Sequence, residues 1–372
     1  MKRLWIFAAI WWGLLLVLSG NTARGWRTAV NADPPSTPVK LIFIHHSTGE
    51  NWLADGYGDL GVTLAQNNYF VSDTNYGWGP GNIGDRTDIP NWPEWFRSAK
   101  TSRYMTALFK ESKQHADYTR TFADPGGENE IILFKSCFPN SDLYGRADDA
   151  PAPGSDLTVA NAKWVYNEIL QYFATRPDKL FIVITAPPLS APGIPENARA
   201  FNQWLLNDWL RENNYPYNNV AVFDFYNVLT GAEAHHRVAS GVVEYVVGSQ
   251  DTLAYPSGDD HPSVEGSRKA TTEFVPMLNI FYHRWQSDAA SPPPVEPVAE
   301  AAAETETEPE VEEVVGEGGE TAVNDAAAPT NEPAAPAANG GGPCPAGMVI
   351  LGLVGAPLAY NVRKRISRQP PQ

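Results

Sequence analysis

Apolar residues fall in short runs along the first three quarters of the chain, and the runs are rich in β-branched and aromatic side chains. This pattern is typical of buried strands, whereas apolar residues at helical spacing between the runs indicate amphipathic helices. Strands that alternate with helices predict a mostly parallel sheet covered on both faces, which is a three-layer α/β/α domain. The predicted strands are residues 39–45, 69–74, 130–137, 179–186 and 219–226, and the predicted helices are residues 101–113, 157–175, 198–213 and 264–285.

The same pattern predicts what surrounds this domain, which we place at residues 38–285 of 372. Residues 1–25 have a basic start, a short apolar run and small residues after it, as a secretory signal peptide does. Residues 286–343 are rich in Pro, Ala, Glu and Gly and contain no aromatic residue. Such a segment has too little apolar area to offset its chain entropy, so we expect a disordered linker there.

Residues 344–372 contain a second apolar run, and three basic residues at 363–365 follow it. An apolar run with a basic end is typical of a stop-transfer segment. The segment also resembles the C-terminal sorting tails of bacterial surface proteins. We therefore expect a membrane anchor or a removable sorting tail, and an exported protein tethered to the membrane at the cell surface. A terminus without a role is the alternative.

Charge adds one restriction on the partners of the domain. The formal net charge is −16, but thirteen acidic residues and no Lys or Arg lie between Arg284 and Arg363. The rest of the chain therefore carries a net charge of −3 and has no basic stripe, so we expect no nucleic-acid partner. The two cysteines, Cys137 and Cys344, lie in different regions and lack zinc-ligand spacing, and we expect Cys137 to be a buried, inert thiol.

Candidate chemistry lies in four polar segments next to the predicted strand ends or before the last helix. Ligands and reacting groups in open α/β sheets collect at the carboxyl ends of the strands. The four segments are residues 45–53 with Ser47, 79–88 with Gly84, 136–142 with Asn140, and 257–263 with Asp259, Asp260 and His261.

The order of these segments resembles the SGNH (GDSL-like) esterase and acylhydrolase superfamily over residues 38–285. The resemblance implies an SGNH/flavodoxin-like fold and an ester hydrolase that uses no cofactor. It implies that Ser47 is the nucleophile and His261 the general base. It also implies that the Gly84 N–H and the Asn140 side chain donate to the oxyanion.

Three departures from the family pattern concern the same segments. His46 replaces the Asp of the family's Gly-Asp-Ser, and Asn140 lies in Phe-Pro-Asn-Ser instead of Gly-x-Asn-Asp. Gly258 stands three residues before His261, where the family has its Asp. We therefore assign Asp259 as the acid that orients His261 and expect Asp260 to point away. A backbone carbonyl that orients the ring is the alternative.

Chemistry supports these assignments independently of the resemblance. Ester cleavage needs a nucleophile, a base and donors aimed at the developing oxyanion. Ser47, through its backbone N–H, is a further candidate donor. The expected substrate is a small-molecule or glycan ester. A catalytically inactive surface or carbohydrate-binding protein on the same fold is the first alternative, and a metal-dependent hydrolase that uses His45, His46 and the 259–261 segment is the second.

Each candidate also has an interpretation without catalysis. Ser47 would cap a helix, Asn140 would shape a turn, and Gly84 would be an ordinary loop glycine. The tryptophans near the proposed site are either core residues or stacking surfaces for sugar rings; they are Trp52, Trp78, Trp92 and Trp95. We expect His235 and His236 to lie on the surface.

Overall fold

The computed structural model describes residues 30–289. The predicted signal peptide, all but the first residues of the predicted linker, and the predicted C-terminal anchor lie outside the described residues. Within residues 30–289, no helix combines the length and the apolar character needed to cross a membrane.

Five parallel strands form the central sheet, in the order β2-β1-β3-β4-β5. Every residue of these strands is buried, as expected for a parallel sheet covered on both faces. The mostly parallel α/β architecture predicted from the sequence is therefore confirmed. The strands are β1 Val39–Ile44, β2 Tyr69–Asp73, β3 Ile131–Lys135, β4 Leu180–Ile184 and β5 Val220–Phe223.

Nine α-helices and one hairpin accompany the sheet in residues 30–289. The helices are α1 Thr48–Leu53, α2 Leu60–Gln66, α3 Trp92–Arg97, α4 Thr101–Lys110, α5 Val159–Ala174, α6 Pro195–Asn207, α7 Trp209–Glu212, α8 Phe225–Val228 and α9 Val264–Ala289. The hairpin strands are β6 His235–Ala239 and β7 Val242–Val246, and they pair antiparallel.

Alternate side chains of the strands enter two separate apolar cores, one on each face of the sheet. Ile42 and Ile44 belong to the core that α3 to α7 cover, whereas Leu41 and Phe43 belong to the core that α1, α2, α8 and α9 cover. Full burial of a large apolar side chain contributes about 2–3 kcal/mol, so packing on both faces stabilises the sheet. The carboxyl ends of its strands carry the candidate site.

The strand order places a topological switch point between β1 and β3. Strand β1 lies between β2 and β3. The chain passes from β1 to β2 on one side of β1, and from β2 it crosses to β3 on the other side. In open α/β sheets the crevice at such a point, at the carboxyl ends of the strands, is where ligands bind. Ser47 follows β1 here, and the 3₁₀ turn Phe138–Ser141 follows β3.

The sequence prediction differs from the structure at three places. The fifth strand ends at Phe223 because the Asp224 side chain accepts a hydrogen bond from the Asn227 N–H and caps α8. The helix predicted at residues 198–213 begins at Pro195 and is divided into α6 and α7 at Asp208. Short elements were also missed, namely α2, α3 and the β6–β7 hairpin.

The missed hairpin explains why the prediction of a surface position for His236 was wrong. Ser240 and Gly241 both have positive φ, 51° and 74°, as a two-residue hairpin turn requires. The hairpin lays His236 onto the ring of Phe223 with 5.3 Å between ring centroids, and its side chain is buried. The Ser240-Gly241 pair is the feature of the sequence from which this hairpin could have been predicted.

Candidate active site

Ser47 lies in a sharp turn between β1 and α1. Its backbone has φ 48° and ψ −102°, a conformation that costs a non-glycine residue about 1–3 kcal/mol. Nucleophilic serines in α/β enzymes occupy strained strand-to-helix turns of this kind, which expose the hydroxyl. The Ser47 side chain makes no capping hydrogen bond to α1. The helix-cap interpretation of this serine is therefore wrong.

The loop before α9 presents His261. The Ser257 N–H donates to the His261 carbonyl at 2.9 Å, and the Ser263 N–H donates to the Tyr255 carbonyl at 2.7 Å. The Tyr57 hydroxyl donates to the Pro262 carbonyl at 2.8 Å and so ties the loop to the segment after α1. These bonds close a tight turn whose only positive φ belongs to Gly258, at 118°. The turn brings residues 259 and 261 face to face.

Ser47, His261 and Asp259 form one chain of hydrogen bonds. The Ser47 Oγ contacts His261 Nε2 across 214 residues of sequence. On the other side of the ring, His261 Nδ1 lies 3.0 Å from Asp259 Oδ2. The edge of the Phe138 ring packs against the imidazole, with 5.0 Å between ring centroids. The sequence of hydroxyl, imidazole and carboxylate is the one that nucleophilic serine chemistry requires.

The Asp259 carboxylate is held by more than the imidazole. Its Oδ1 accepts from the His261 N–H and from the Ser257 hydroxyl, each at 2.9 Å. Partial burial raises the pKa of Asp259, but the bonds from the His261 N–H, the His261 ring and Ser257 together lower it below its ordinary value. Asp259 is therefore ionised at neutral pH. Asp260 turns away, as expected, and accepts the Ser190 N–H at 2.8 Å.

Gly84 does not present the N–H that the family resemblance implies. Its N–H donates to the Trp78 carbonyl at 3.1 Å, so an oxyanion would have to displace that bond. A side chain at this position would overlap the Asn75 carbonyl, which is a structural reason for glycine here. The Gly84 N–H is therefore engaged within its own loop, and its expected role as an oxyanion donor stays a prediction.

Asn140 is buried in the turn after β3, and both ends of its side-chain amide are engaged. Its Nδ2 donates to Asp88 Oδ1 at 2.6 Å, and its Oδ1 accepts the Ile89 N–H at 2.8 Å. An amide nitrogen carries two protons, so one donor remains after the bond to Asp88. The backbone N–H of Ser47 donates to no acceptor within residues 30–289. These two donors remain as oxyanion candidates.

The two histidines beside Ser47 do not contact its hydroxyl. His45 is fully buried, and its Nε2 lies 3.1 Å from Asp73 Oδ2. Burial lowers the pKa of His45, and the hydrogen bond and charge of Asp73 offset only part of this effect. His46 directs Nδ1 to the Gly84 carbonyl at 3.0 Å, and its ring stacks on Tyr76. His46 therefore ties the Gly84 loop to the nucleophile turn.

The remaining sequence hypotheses concern metal, tryptophan and cysteine. Residues 30–289 contain no group of three or more His, Cys, Asp or Glu arranged to hold a metal ion. Trp52, Trp92 and Trp95 are fully buried core residues, and Trp78 is partly buried with its N–H on Glu111. Cys137 is buried, as expected, with Sγ 3.7 Å from the Thr48 hydroxyl.

Comparisons with known proteins add no family. No protein-family model matches the chain, and no curated protein matches it closely enough to indicate a relative. A solved structure of an uncharacterised protein is 12% identical, with 65% of this chain and 96% of that chain covered and a TM-score of 0.31. TubZ of Clostridium botulinum phage c-st is also 12% identical, with a TM-score of 0.25, and this chain spans 50% of its length. Likenesses this distant carry no argument about fold or function.

Proposed function

We propose that residues 38–285 form a serine esterase of the SGNH type, with Ser47 as nucleophile, His261 as general base and Asp259 as the acid that orients it. The observation that carries the proposal is the hydrogen-bonded chain from Ser47 Oγ through His261 to Asp259. The strained turn of Ser47 and its position at the switch point of the sheet support the same role.

The first half of the reaction transfers the acyl group to the enzyme. His261 Nε2 takes the proton of Ser47 Oγ as the oxygen attacks the ester carbonyl carbon, and a tetrahedral oxyanion forms. When the intermediate collapses, the bond to the alcohol oxygen breaks and the imidazolium gives its proton to that oxygen. Asp259 keeps the Nδ1 proton in place and stabilises the charged ring.

The second half releases the acid. Water enters where the alcohol left, His261 Nε2 takes one of its protons, and the water oxygen attacks the acyl carbon. Collapse of the second intermediate returns the proton to Ser47 Oγ and frees the carboxylic acid. The Ser47 N–H and the second Asn140 Nδ2 proton serve as oxyanion donors in both halves, and loss of one such donor typically costs about 3 kcal/mol of transition-state stabilisation.

An acyl ester of a carbohydrate is the substrate class we propose. Tyr76 is 48% exposed and stacks on His46, so an aromatic face lies next to the nucleophile turn. Flat sugar faces pack well on such rings. The predicted signal peptide and C-terminal segment support action outside the cell and tethering to its membrane. A separation of His261 from Ser47 would favour the inactive alternative, whereas the contact of the two side chains supports the esterase.

Replacement of Ser47 by Ala tests the proposal with a short-chain aryl ester as substrate. We expect turnover to fall at least about 10⁴-fold, because the nucleophile is removed. Ser190→Ala is the matched control, since Ser190 is an exposed serine of the same sheet edge whose backbone, not its hydroxyl, contacts the His261 loop. Equal rates for the wild type and Ser47→Ala would end the proposal.

A further inference from the structure

We infer that Asp88 is a positioning residue that holds the Asn140 amide in the orientation an oxyanion donor needs. The inference rests on the proposed function. It concerns a residue that does not itself touch the reacting atoms. Asp88 lies at the end of the 79–88 segment, on a loop that reaches across to the turn after β3.

The amide of Asn140 is clamped from both ends. The Asp88 carboxylate accepts from Nδ2 at 2.6 Å, and the Ile89 N–H donates to Oδ1 at 2.8 Å. A flipped amide would set its oxygen against a carboxylate and its NH₂ against an N–H, so both contacts oppose the flip. The main chain of Asn140 is fixed as well, because its N–H donates to the Cys137 carbonyl at 3.0 Å.

The carboxylate makes the stronger half of this clamp. Hydrogen bonds to carboxylates are typically stronger than those between neutral groups, and this one spans 2.6 Å. Within residues 30–289, Asp88 forms no ion pair with Lys or Arg. Its side chain also makes no capping bond to the 3₁₀ turn Ile89–Asn91 that it precedes. Its carboxylate is therefore placed to serve Asn140 rather than the turn.

The orientation of the Asn140 amide matters more in this site because the Gly84 N–H, the other expected oxyanion donor, is bonded to the Trp78 carbonyl. In the proposed mechanism, the Ser47 N–H and the second Nδ2 proton then hold the oxyanion together. Donors stabilise a transition state in proportion to how well they are oriented before the reaction. An amide that can rotate away would therefore lower kcat and leave KM nearly unchanged.

A double-mutant cycle with a neutral aryl ester tests the inference. We expect Asn140→Ala to lower kcat about 10²–10³-fold, as loss of an oxyanion donor does. We expect Asp88→Ala to lower kcat about 10- to 100-fold, as a misplaced catalytic group does. Asp88→Asn keeps an acceptor oxygen and should stay within about threefold of the wild type. Asp85→Asn removes one charge from the same exposed loop and should have no effect.

Coupling between the two residues gives the decisive result. If Asp88 acts through Asn140, adding Asp88→Ala to Asn140→Ala lowers kcat no further. A full additional loss in the double variant, or wild-type kcat in Asp88→Ala, overturns the inference. Thermal unfolding identifies a variant that fails to fold, and Asp88→Ser then replaces Asp88→Ala. The proposed function fails separately, by an active Ser47→Ala variant or an inactive wild type.

Discussion

Two histidine–carboxylate pairs lie at the same edge of the sheet, and their surroundings differ in every respect that matters for catalysis. His261 and Asp259 belong to a surface loop, with side chains 15% and 63% exposed. His45 directly follows β1, Asp73 is the last residue of β2, and both side chains are 0% exposed. In the first pair the second ring nitrogen meets the Ser47 hydroxyl, whereas the second ring nitrogen of His45 has no partner within residues 30–289.

A histidine beside a carboxylate serves as a general base only where its ring can take up a proton. Burial lowers the pKa of His45 and opposes protonation, so this ring is suited to packing against Gly49, where a side chain would overlap it. The nearest histidines in sequence are therefore structural, and the proposed base comes from the far end of the domain.

Replacement of each histidine by glutamine should give the largest difference between the two pairs. We expect His261→Gln to lower kcat/KM at least about 10⁴-fold with little change in thermal stability, because the base is lost from a surface loop. His45→Gln should keep kcat/KM within about tenfold and lower the free energy of unfolding by about 1–3 kcal/mol, through a disturbed buried hydrogen bond. Steady-state kinetics and denaturant unfolding measure both effects. If His45→Gln lost activity and His261→Gln kept it, the roles assigned to the two histidines would be reversed.

The paired carboxylates sharpen the comparison further. Asp259→Asn should lower kcat about 10²–10³-fold, because the acid that fixes the tautomer of His261 is lost. Water at this exposed position can replace part of its hydrogen bonding, which limits the loss. Asp73→Ala should lower the free energy of unfolding by about 3–5 kcal/mol, because the His45 ring and two further donors lose their acceptor inside the protein. Asp73 also accepts from the His115 N–H and the Tyr118 hydroxyl, each at 2.8 Å. An Asp259→Asn variant with full activity would contradict the assignment of the acid.

The sequence predicted which polar side chains come together better than it predicted the hydrogen bonds of the backbone around them. Ser47, His261 and Asp259 could be predicted because each lies beside a strand end or in a tight loop, and the chemistry demands their side chains. The engagement of the Gly84 N–H by Trp78 could not be predicted, because backbone hydrogen bonds in a loop depend on the path of the whole segment. The burial of His236 was missed for a similar reason, since it follows from a hairpin of ten paired residues.

Acid titration extends the comparison to His236, a third histidine near acidic groups. Burial lowers its pKa to about 4, and the charges of Asp224 and Glu273 offset only part of that. The unfolded chain, with an ordinary histidine pKa of about 6.5, therefore binds the proton more readily. This contribution to stability is complete above about pH 6.5 and falls by about 3 kcal/mol as the pH drops to 4.

The acid effect is checked by denaturant unfolding between pH 7 and pH 4. We expect His236→Asn to be less sensitive to acid over this range, because its side chain does not titrate but still offers an oxygen to the Asp224 N–H that His236 Nδ1 accepts at 3.0 Å. His283→Asn changes a half-buried histidine of α9 whose Nε2 lies 3.0 Å from the Asp33 carbonyl; it is the matched control and should retain the wild-type slope. Identical slopes for His236→Asn and the wild type would exclude His236 as the source.

The central claim is that Ser47 is a nucleophile activated by the distant His261. Reaction of the purified protein with a fluorophosphonate probe, followed by mapping of the labelled peptide, tests it most directly. The account predicts a single labelled residue, Ser47, with labelling abolished in Ser47→Ala, strongly slowed in His261→Gln and retained in His45→Gln. A label on another serine, or no label on the folded wild-type protein, would contradict it.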